Sequence, residues 1–255
     1  MIIAIVTPCF NPGEYLLETI ASVLRQSGDF ALQYHVQDGG STDGSVEILE
    51  SVVHELELNN TALQCQSLSF SYSSKRDRGM YDAINRGFRT IFGRCKPDIM
   101  LWINADDRLD FEALHNVSTF FAVNPDVSWI IGRTVHLNEA GRIIVDIPPA
   151  EYLESNLSGG RHDGEILPFV TQEASAWRAK LWEQCGELDF DLKYAGDFEY
   201  WRRAATAGFK LFSVDFSIGY HRKREGQLSA VGCYKDEVSL VMHKNMWAKR
   251  CLSWM

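Results

Sequence analysis

Cysteine pairs, glycine-rich phosphate loops, surplus positive charge and long apolar runs are all missing from this sequence. The six cysteines, Cys9, Cys65, Cys95, Cys185, Cys233 and Cys251, are scattered and form no CxxC pair. That argues against a disulfide scaffold or a structural zinc site and suits a reducing compartment. Neither GxGxxG nor GxxxxGK followed by Ser or Thr occurs, so the common dinucleotide fingerprint and P-loop ATPase chemistry lose support. A formal net charge of -9 argues against a general nucleic-acid surface while leaving room for a local basic pocket. No apolar run reaches the length of a membrane span. The opening MIIAIVTPCF has no basic segment and meets Pro8 too early for a secretory leader, so the expectation is a cytoplasmic protein. No internal repeat, low-complexity tract or linker marks a second independent domain.

What is present suits one large core. The chain has 255 residues and is 45% hydrophobic, enough for a broad α/β domain or for one domain with appended helices. MIIAIVTP reads as a nearly continuous apolar strand, as in a parallel sheet covered on both faces. Asn11 and Pro12 then open a helix, with Leu16, Leu17, Ile20, Val23 and Leu24 at helical spacing. A strand through Tyr34 and Val36, a turn rich in Gly and Asp, and a helix from about Asp43 repeat the plan. This βαβ start predicts an α/β fold with a mostly parallel central sheet flanked by helices. A further strand falls near ALQCQSLSFSYSS, a helix in DRGMYDAINRGFRTIFG, a strand in IMLWIN and a helix in LDFEALHNVSTFFAVNP. VSWIIGRTVHLNEAGRII reads as a hairpin-like pair turning at Asn138 to Gly141, which predicts a second half that closes over the sheet rather than extending it. Pro148 to Pro168 has no clear period. SAWRAKLWEQCG and DFEYWRRAATAGFKL have helical rhythm, FSVDFSIGYH is strand-like, and the end is an amphipathic helix.

The segment PDIMLWINADDRLD places Asp106 beside Asp107 at the carboxyl end of a predicted buried strand, the edge where open α/β sheets bind ligands. Two adjacent carboxylates repel. A divalent cation such as Mg²⁺ or Mn²⁺ would offset that, and so would solvent or Arg108, with one carboxylate merely capping the next helix. Asp38 follows a strand and is placed to accept from a ribose hydroxyl or a base N–H; Gly39 and Gly40 supply a turn, and Asp43 or Ser41 a helix cap. Lys75, Arg76, Asp77 and Arg78 precede a helix and suit either a phosphate and sugar contact or a solvated face. Asp82 and Asn85 share one face of that helix. Asp197 looks like a helix N-cap, with Tyr200 at N3 and so no capping box. As a catalyst it would be a carboxylate near a helix start, where the dipole favours ionisation and a proton can be taken from a hydroxyl. His221, beside Arg222, Lys223 and Arg224, is either structural or part of a metal-phosphate site.

Five blocks in this order, IVTPCFN, VQDGGSTDGS, KRDRGMYDAINRG, WINADD and AGDFEYWRRAATAGFK, resemble the sequence blocks of family 2 glycosyltransferases. The resemblance covers roughly residues 1 to 225 and is closer to bacterial enzymes of surface polysaccharide and lipopolysaccharide synthesis. It implies the GT-A nucleotide-sugar-binding fold and inverting transfer from a nucleoside-diphosphate sugar to a saccharide or lipid-linked acceptor. It further implies that Thr7, Pro8 and Phe10 line a nucleoside pocket, that Asp38 holds the base, and that Asp77 belongs to the same site. Asp107 is then the metal ligand for Mn²⁺ or Mg²⁺, Asp106 faces the donor, Asp197 is the general base, and His221 lies near the metal and the leaving diphosphate. Arg224 or Lys223 would offset diphosphate charge, and Glu173 would touch the acceptor. The motif reads Asn-Ala-Asp-Asp rather than a strict Asp-x-Asp, which leaves open how Asp106 and Asp107 divide the work. The implied layout is a donor part at about 1–110, an acceptor part at about 111–225 and a C-terminal helical extension at 226–255. In that extension Val238, Leu240, Val241, Met246 and Trp247, with Lys244, Lys249 and Arg250, would either pack on the core or lie against an inner membrane surface. A nucleotidyltransferase and an inactive binding homologue are the competing readings.

Overall fold

The computed structural model describes residues 1–58, 64–224, 227 and 233–252, with the backbone alone described from 244 onward. Its first half follows the βα alternation. β1 (Ile2–Cys9), α1 (Tyr15–Leu24), β2 (Gly28–Asp38), α2 (Ser45–Leu58), β3 (Cys65–Ser74), α3 (Met80–Phe92) and β4 (Ile99–Trp102) come in turn. After them stand β5 (Arg108–Leu109), α4 (Ala113–Val123), β6 (Trp129–Ile131), β7 (Thr134–Leu137), β8 (Ile143–Ile147) and α5 (Glu154–Ser158). The remainder is β9 (Ser175–Arg178), α6 (Ala179–Cys185), α7 (Gly196–Thr206), β10 (Leu211–Ser213), β11 (Gly219–Arg222) and α8 (Tyr234–Leu252).

These strands form two sheets. The larger has seven strands in the order β10-β6-β9-β4-β1-β2-β3, and the smaller has four in the order β5-β11-β7-β8. In the larger sheet β9 alone is antiparallel, inserted between β4 and β6. β1 and β4 are apolar along their length and almost wholly buried because helices cover both faces. α3 approaches β1 closely enough that a Cβ on Gly87 would fall 2.5 Å from Val6 Cγ1. Under the sheet's second half, Trp102, Trp129 and Trp177 gather around Trp201 of α7, with ring centroids 4.9 to 5.7 Å from it.

The second half departs from expectation in four ways. SAWR is a strand and only AKLWEQC is helical, since the apolar alternation of a short buried strand is hard to tell from half a helical turn. The hairpin does turn at Asn138 to Gly141, but it joins β7 to β8, while β6 belongs to the other sheet. The unpatterned segment after Pro148 contains the short helix α5. The second half therefore both extends the large sheet, through β9, β6 and β10, and supplies most of the small one. Among the described residues no helix is long and apolar enough to cross a membrane. In α8, Val241 is buried and Leu240 exposed; the side chains of Lys244, Met246, Trp247, Lys249 and Arg250, on which the membrane expectation turned, lie outside the described residues.

Candidate active site

Parallel strands deliver their carboxyl ends to one edge, and the predicted acidic residues gather there. β1 ends at Cys9, β2 at Asp38 and β4 at Trp102, with Asn104 to Asp107 forming a tight turn closed by the Asp107 N–H to Asn104 O bond of 3.1 Å. Because β9 runs the other way, its amino end reaches the same edge and brings Glu173. The small sheet supplies the third component. β11 pairs with β5 so that Gly219 faces Leu109 and Tyr220 faces Arg108, which sets His221 level with Asp107.

Asp107, Glu173 and His221 therefore meet, with one ligand-type atom of each inside a 4.8 Å sphere of mutual distances. His221 Nδ1 lies 2.9 Å from Glu173 Oε1 and 3.5 Å from Asp107 Oδ1. Asp107 is buried, accepting the Arg222 N–H at 2.7 Å and an Asn104 side-chain N–H at 3.1 Å. Burial pushes its pKa up to about 7, with Glu173 and Asp106 adding to the rise. Burial disfavours a charged Glu173 too, but the imidazolium beside it wins and holds Glu173 well below the usual carboxylate range. The two carboxylates likewise overcome burial of His221 and raise it to about 10. The ring is thus held as a cation against Glu173, with Asp107 the more easily protonated of the two carboxylates.

The donor set fits a divalent cation. Two carboxylate oxygens and one imidazole nitrogen are ordinary ligands for such an ion. His221 Nδ1 is buried with no aligned hydrogen bond despite its short contacts, as a ligand atom aimed into a shared centre would be. Glu173, expected to touch the acceptor, stands in this cluster. The sequence singled it out only through the resemblance, and the reversed direction of β9 is what brings it to this edge beside Asp107 and His221.

The other predicted residues fall nearby in two groups. Asp106, half-buried, is bound at Oδ2 by Arg224 Nε at 2.7 Å, so both donor-side candidates come together. Asp38 and Asp77 meet across Gly39, where a Cβ would stand 2.8 Å from Asp77 Oδ2. Asp38 is wholly buried and accepts from Gly40 and Ser41 N–H groups at 2.9 and 3.0 Å and from Ser74 Oγ at 2.6 Å. Burial raises its pKa, but these donors outweigh it and leave the carboxyl below its ordinary value. Asp77 is raised by burial and by Asp82 and Asp38, and keeps accessible surface. Thr7 and Pro8 are buried, with Thr7 bonded to the Tyr34 hydroxyl at 3.0 Å, whereas Phe10 is 67% exposed. Asp43 bonds Ser45 Oγ at 2.6 Å and the Gly13 N–H at 2.8 Å, tying two turns. Asn85 is bonded both ways to the Leu188 backbone and serves as a staple.

Asp197 sits on α7, facing a cleft. The N-cap is Ala195, so Asp197 stands inside the first turn rather than at the cap. Its Oδ1 accepts from the Phe198 N–H at 2.8 Å and from Tyr81 Oη at 3.4 Å. Burial raises its pKa to about 6, and the charge of Glu173 adds to this, so the base candidate and the ion cluster are electrostatically linked. The cleft is lined further by His162, Phe169, Trp201, Arg202 and Tyr234. His162 Nδ1 is bonded to Pro168 O at 2.8 Å, leaving Nε2 buried without a partner, and Arg202 Nε is likewise unpartnered. None of these lining residues stood out in the sequence except through proximity to Asp197.

A family model described as Glycosyl transferase family 2 matches residues 4–185. The chain belongs to glycosyl transferase family 2. The match spans β1 to α6 and includes Asp38, Asp107 and Glu173, while Asp197, His221 and Arg224 lie beyond it. Among solved structures, S. aureus TarS 1-349 in complex with UDP-GlcNAc is 17% identical, with a TM-score of 0.65 over 91% of this chain and 61% of that one. The mannosyltransferase PcManGT from Pyrobaculum calidifontis, in complex with GDP-Man and Mn²⁺, is 16% identical, with a TM-score of 0.63 over 96% of this chain and 64% of that one. This family 2 chain thus spans under two thirds of either structure. At these identities the likeness is one of fold, an α/β architecture of mixed sheets flanked by helices. No curated protein matches the chain.

Proposed function

We propose that this chain has the GT-A fold and transfers a sugar, with inversion, from a nucleoside-diphosphate sugar to a hydroxyl of a saccharide or lipid-linked acceptor, using Mn²⁺ or Mg²⁺. The observation that carries this reading is the Asp107, Glu173 and His221 cluster at the carboxyl edge of β4, electrostatically linked to the carboxylate of Asp197. The sugar nucleotides held by the TarS and PcManGT structures, and the Mn²⁺ held by PcManGT, support it.

Asp107, His221 and Glu173 would hold the ion. When bound, it supplies positive charge to a departing diphosphate. The nucleoside would lie against exposed Phe10, with Asp77 offering an accessible acceptor oxygen and the buried Thr7, Pro8 and Asp38 shaping the floor and turn beneath. Arg224, fixed by Asp106, keeps further N–H groups for the donor's phosphates. In the cleft, Asp197 takes the proton of the acceptor hydroxyl as its oxygen bonds to the anomeric carbon. The bond from that carbon to the diphosphate oxygen breaks with inversion, and the nucleoside diphosphate leaves with the electron pair. One displacement needs one base. Tyr81, whose own pKa burial drives upward, stays protonated and orients Asp197. His162 Nε2 and Arg202 are free to hold the acceptor's other polar groups.

Asp197→Asn tests the reading. Transfer should fall by about 10²- to 10⁴-fold while nucleotide-sugar binding stays within about twofold; lost donor binding would sink the base assignment. Calorimetric titration with UDP, GDP and dTDP, each with and without Mn²⁺, addresses the donor. No metal-dependent binding to any of them would favour a binding homologue without activity.

A further inference from the structure

The segment leading into α7 aims three consecutive backbone N–H groups at one carboxylate. Glu237, in the first turn of α8, accepts from the Lys193 N–H at 2.8 and 3.1 Å through its two oxygens. It accepts from Tyr194 at 2.7 Å and from Ala195 at 2.9 Å. Successive N–H groups around an anion form a nest, and bonds to an ionised acceptor are the strong ones. α7 has no side-chain cap of its own, since its N-cap is Ala195. The anion at its mouth comes instead from a helix 42 residues further along the chain. Asp197 is two residues beyond the nest.

The rest of α8 braces the same place. Tyr234 lines the Asp197 cleft with its ring centroid 5.3 Å from that of Phe169. Val241 is buried, and Met242 packs so tightly that a Cβ on Gly160 would fall 2.5 Å from its sulfur. On the other side of the turn, Gly196 lies flat against Tyr81, where a Cβ would come within 2.6 Å of the ring. Movement of residues 193–195 would therefore be transmitted to the Tyr81 to Asp197 contact.

We infer that Glu237 is a positioning residue for the general base, holding the Lys193 to Ala195 turn and thereby the place from which Asp197 meets the acceptor hydroxyl. This rests on the assignment of Asp197 as the base. The C-terminal helix is then a working part of the acceptor half and not an appendage to it. A misplacement of about 1 Å at a reacting group costs on the order of 10²-fold in rate, so the effect belongs in kcat.

The test uses the full chain, with Glu237→Ala, Glu237→Gln and Asp197→Asn compared in parallel. UDP-GlcNAc and GDP-mannose with Mn²⁺ are the probe donors, and nucleoside diphosphate release is the readout. Glu237→Ala should lower kcat by at least about tenfold and leave the donor KM within about twofold. Amide exchange at 193–195 should quicken while that of β1 and β4 does not change. Added formate, a carboxylate small enough for the vacated nest, should restore part of the activity of Glu237→Ala and none of that of Asp197→Asn. Should Glu237→Ala fail to fold, Glu237→Gln keeps one accepting oxygen and should give an intermediate kcat at unchanged KM. Unchanged kcat and exchange in these variants would overturn the inference, as would loss of nucleotide binding in step with loss of thermal stability. An active Asp197→Asn would overturn the base assignment itself, whereas an inactive one beside an unimpaired Glu237→Ala removes the positioning role alone.

Discussion

A carboxylate works as a base only while ionised, and burial lifts Asp197 to about 6. With Asp197 as the proposed base, the proton is already on below that pH, and kcat/KM should fall about tenfold per pH unit on the acid side. The same shift has an opposite sign for stability. A folded pKa above the unfolded value means that ionisation costs the folded state as pH rises from the ordinary carboxylate range through 6. Asp197→Asn should therefore raise Tm at pH 8 and leave it nearly unchanged at pH 4, as calorimetry would show. His221 is the reverse case. Its raised pKa stabilises the folded state fully below its ordinary value and ceases to do so as pH passes about 10. His221→Ala would strand Asp107 and Glu173 against each other, costing about 3 to 5 kcal/mol in urea denaturation at pH 7 without metal. Asp107 and His221 were visible in the sequence because each stands toward the end of a strand-like run, and Asp197 because it opens a helical one. Glu173 was visible only through the family resemblance, and His162 and Arg202 not at all, since their placement depends on which distant strand or helix lies beside them.

Elements explain where the sequence could be followed. The first four βα alternations come from apolar or alternating strand runs and helical spacing, and the structure keeps each of them through α4. β9 broke the pattern because four residues offer too little period to separate a strand from a helix, and its direction is set by partners β4 and β6. The small sheet is legible only as a hairpin, because β5 is two residues long and β11 pairs across 110 residues of chain. Gly219 is the narrow point of this assembly. A Cβ there would lie 2.4 Å from the Glu173 carbonyl oxygen, and backbone cannot yield as a flexible side chain can. Gly219→Ala should push β11 away from the 172–174 segment, destabilise the chain by about 1 to 3 kcal/mol and weaken Mn²⁺ binding about tenfold or more. Mn²⁺ titration of the folded variant checks this, with Gly87→Ala as a packing control of similar severity outside the cluster.

At the scale of the molecule, the three cluster residues belong to two sheets and to positions 107, 173 and 221. A cation bound there stabilises only the folded chain. With free Mn²⁺ at 100 times its Kd, unfolding should become about 2.7 kcal/mol harder, and Tm should climb with metal concentration in the native chain but not in Asp107→Asn. Binding should also tighten as pH rises, because the His221 proton must leave before the ring can serve as a ligand.

The wide spacing of those three residues also orders events in time. β1, β2 and β3 can pair through local βαβ closures, whereas the cluster needs β9 reversed beside β4 and β11 returned to β5 across long stretches of chain. Non-local contacts of that kind form late because loop closure must precede any gain from them. The proposed metal site would thus be complete only in the finished fold. Before β9 and β11 take their places, Asp107 would stand apart from Glu173 and His221, and an ion would meet no complete site on a half-built sheet.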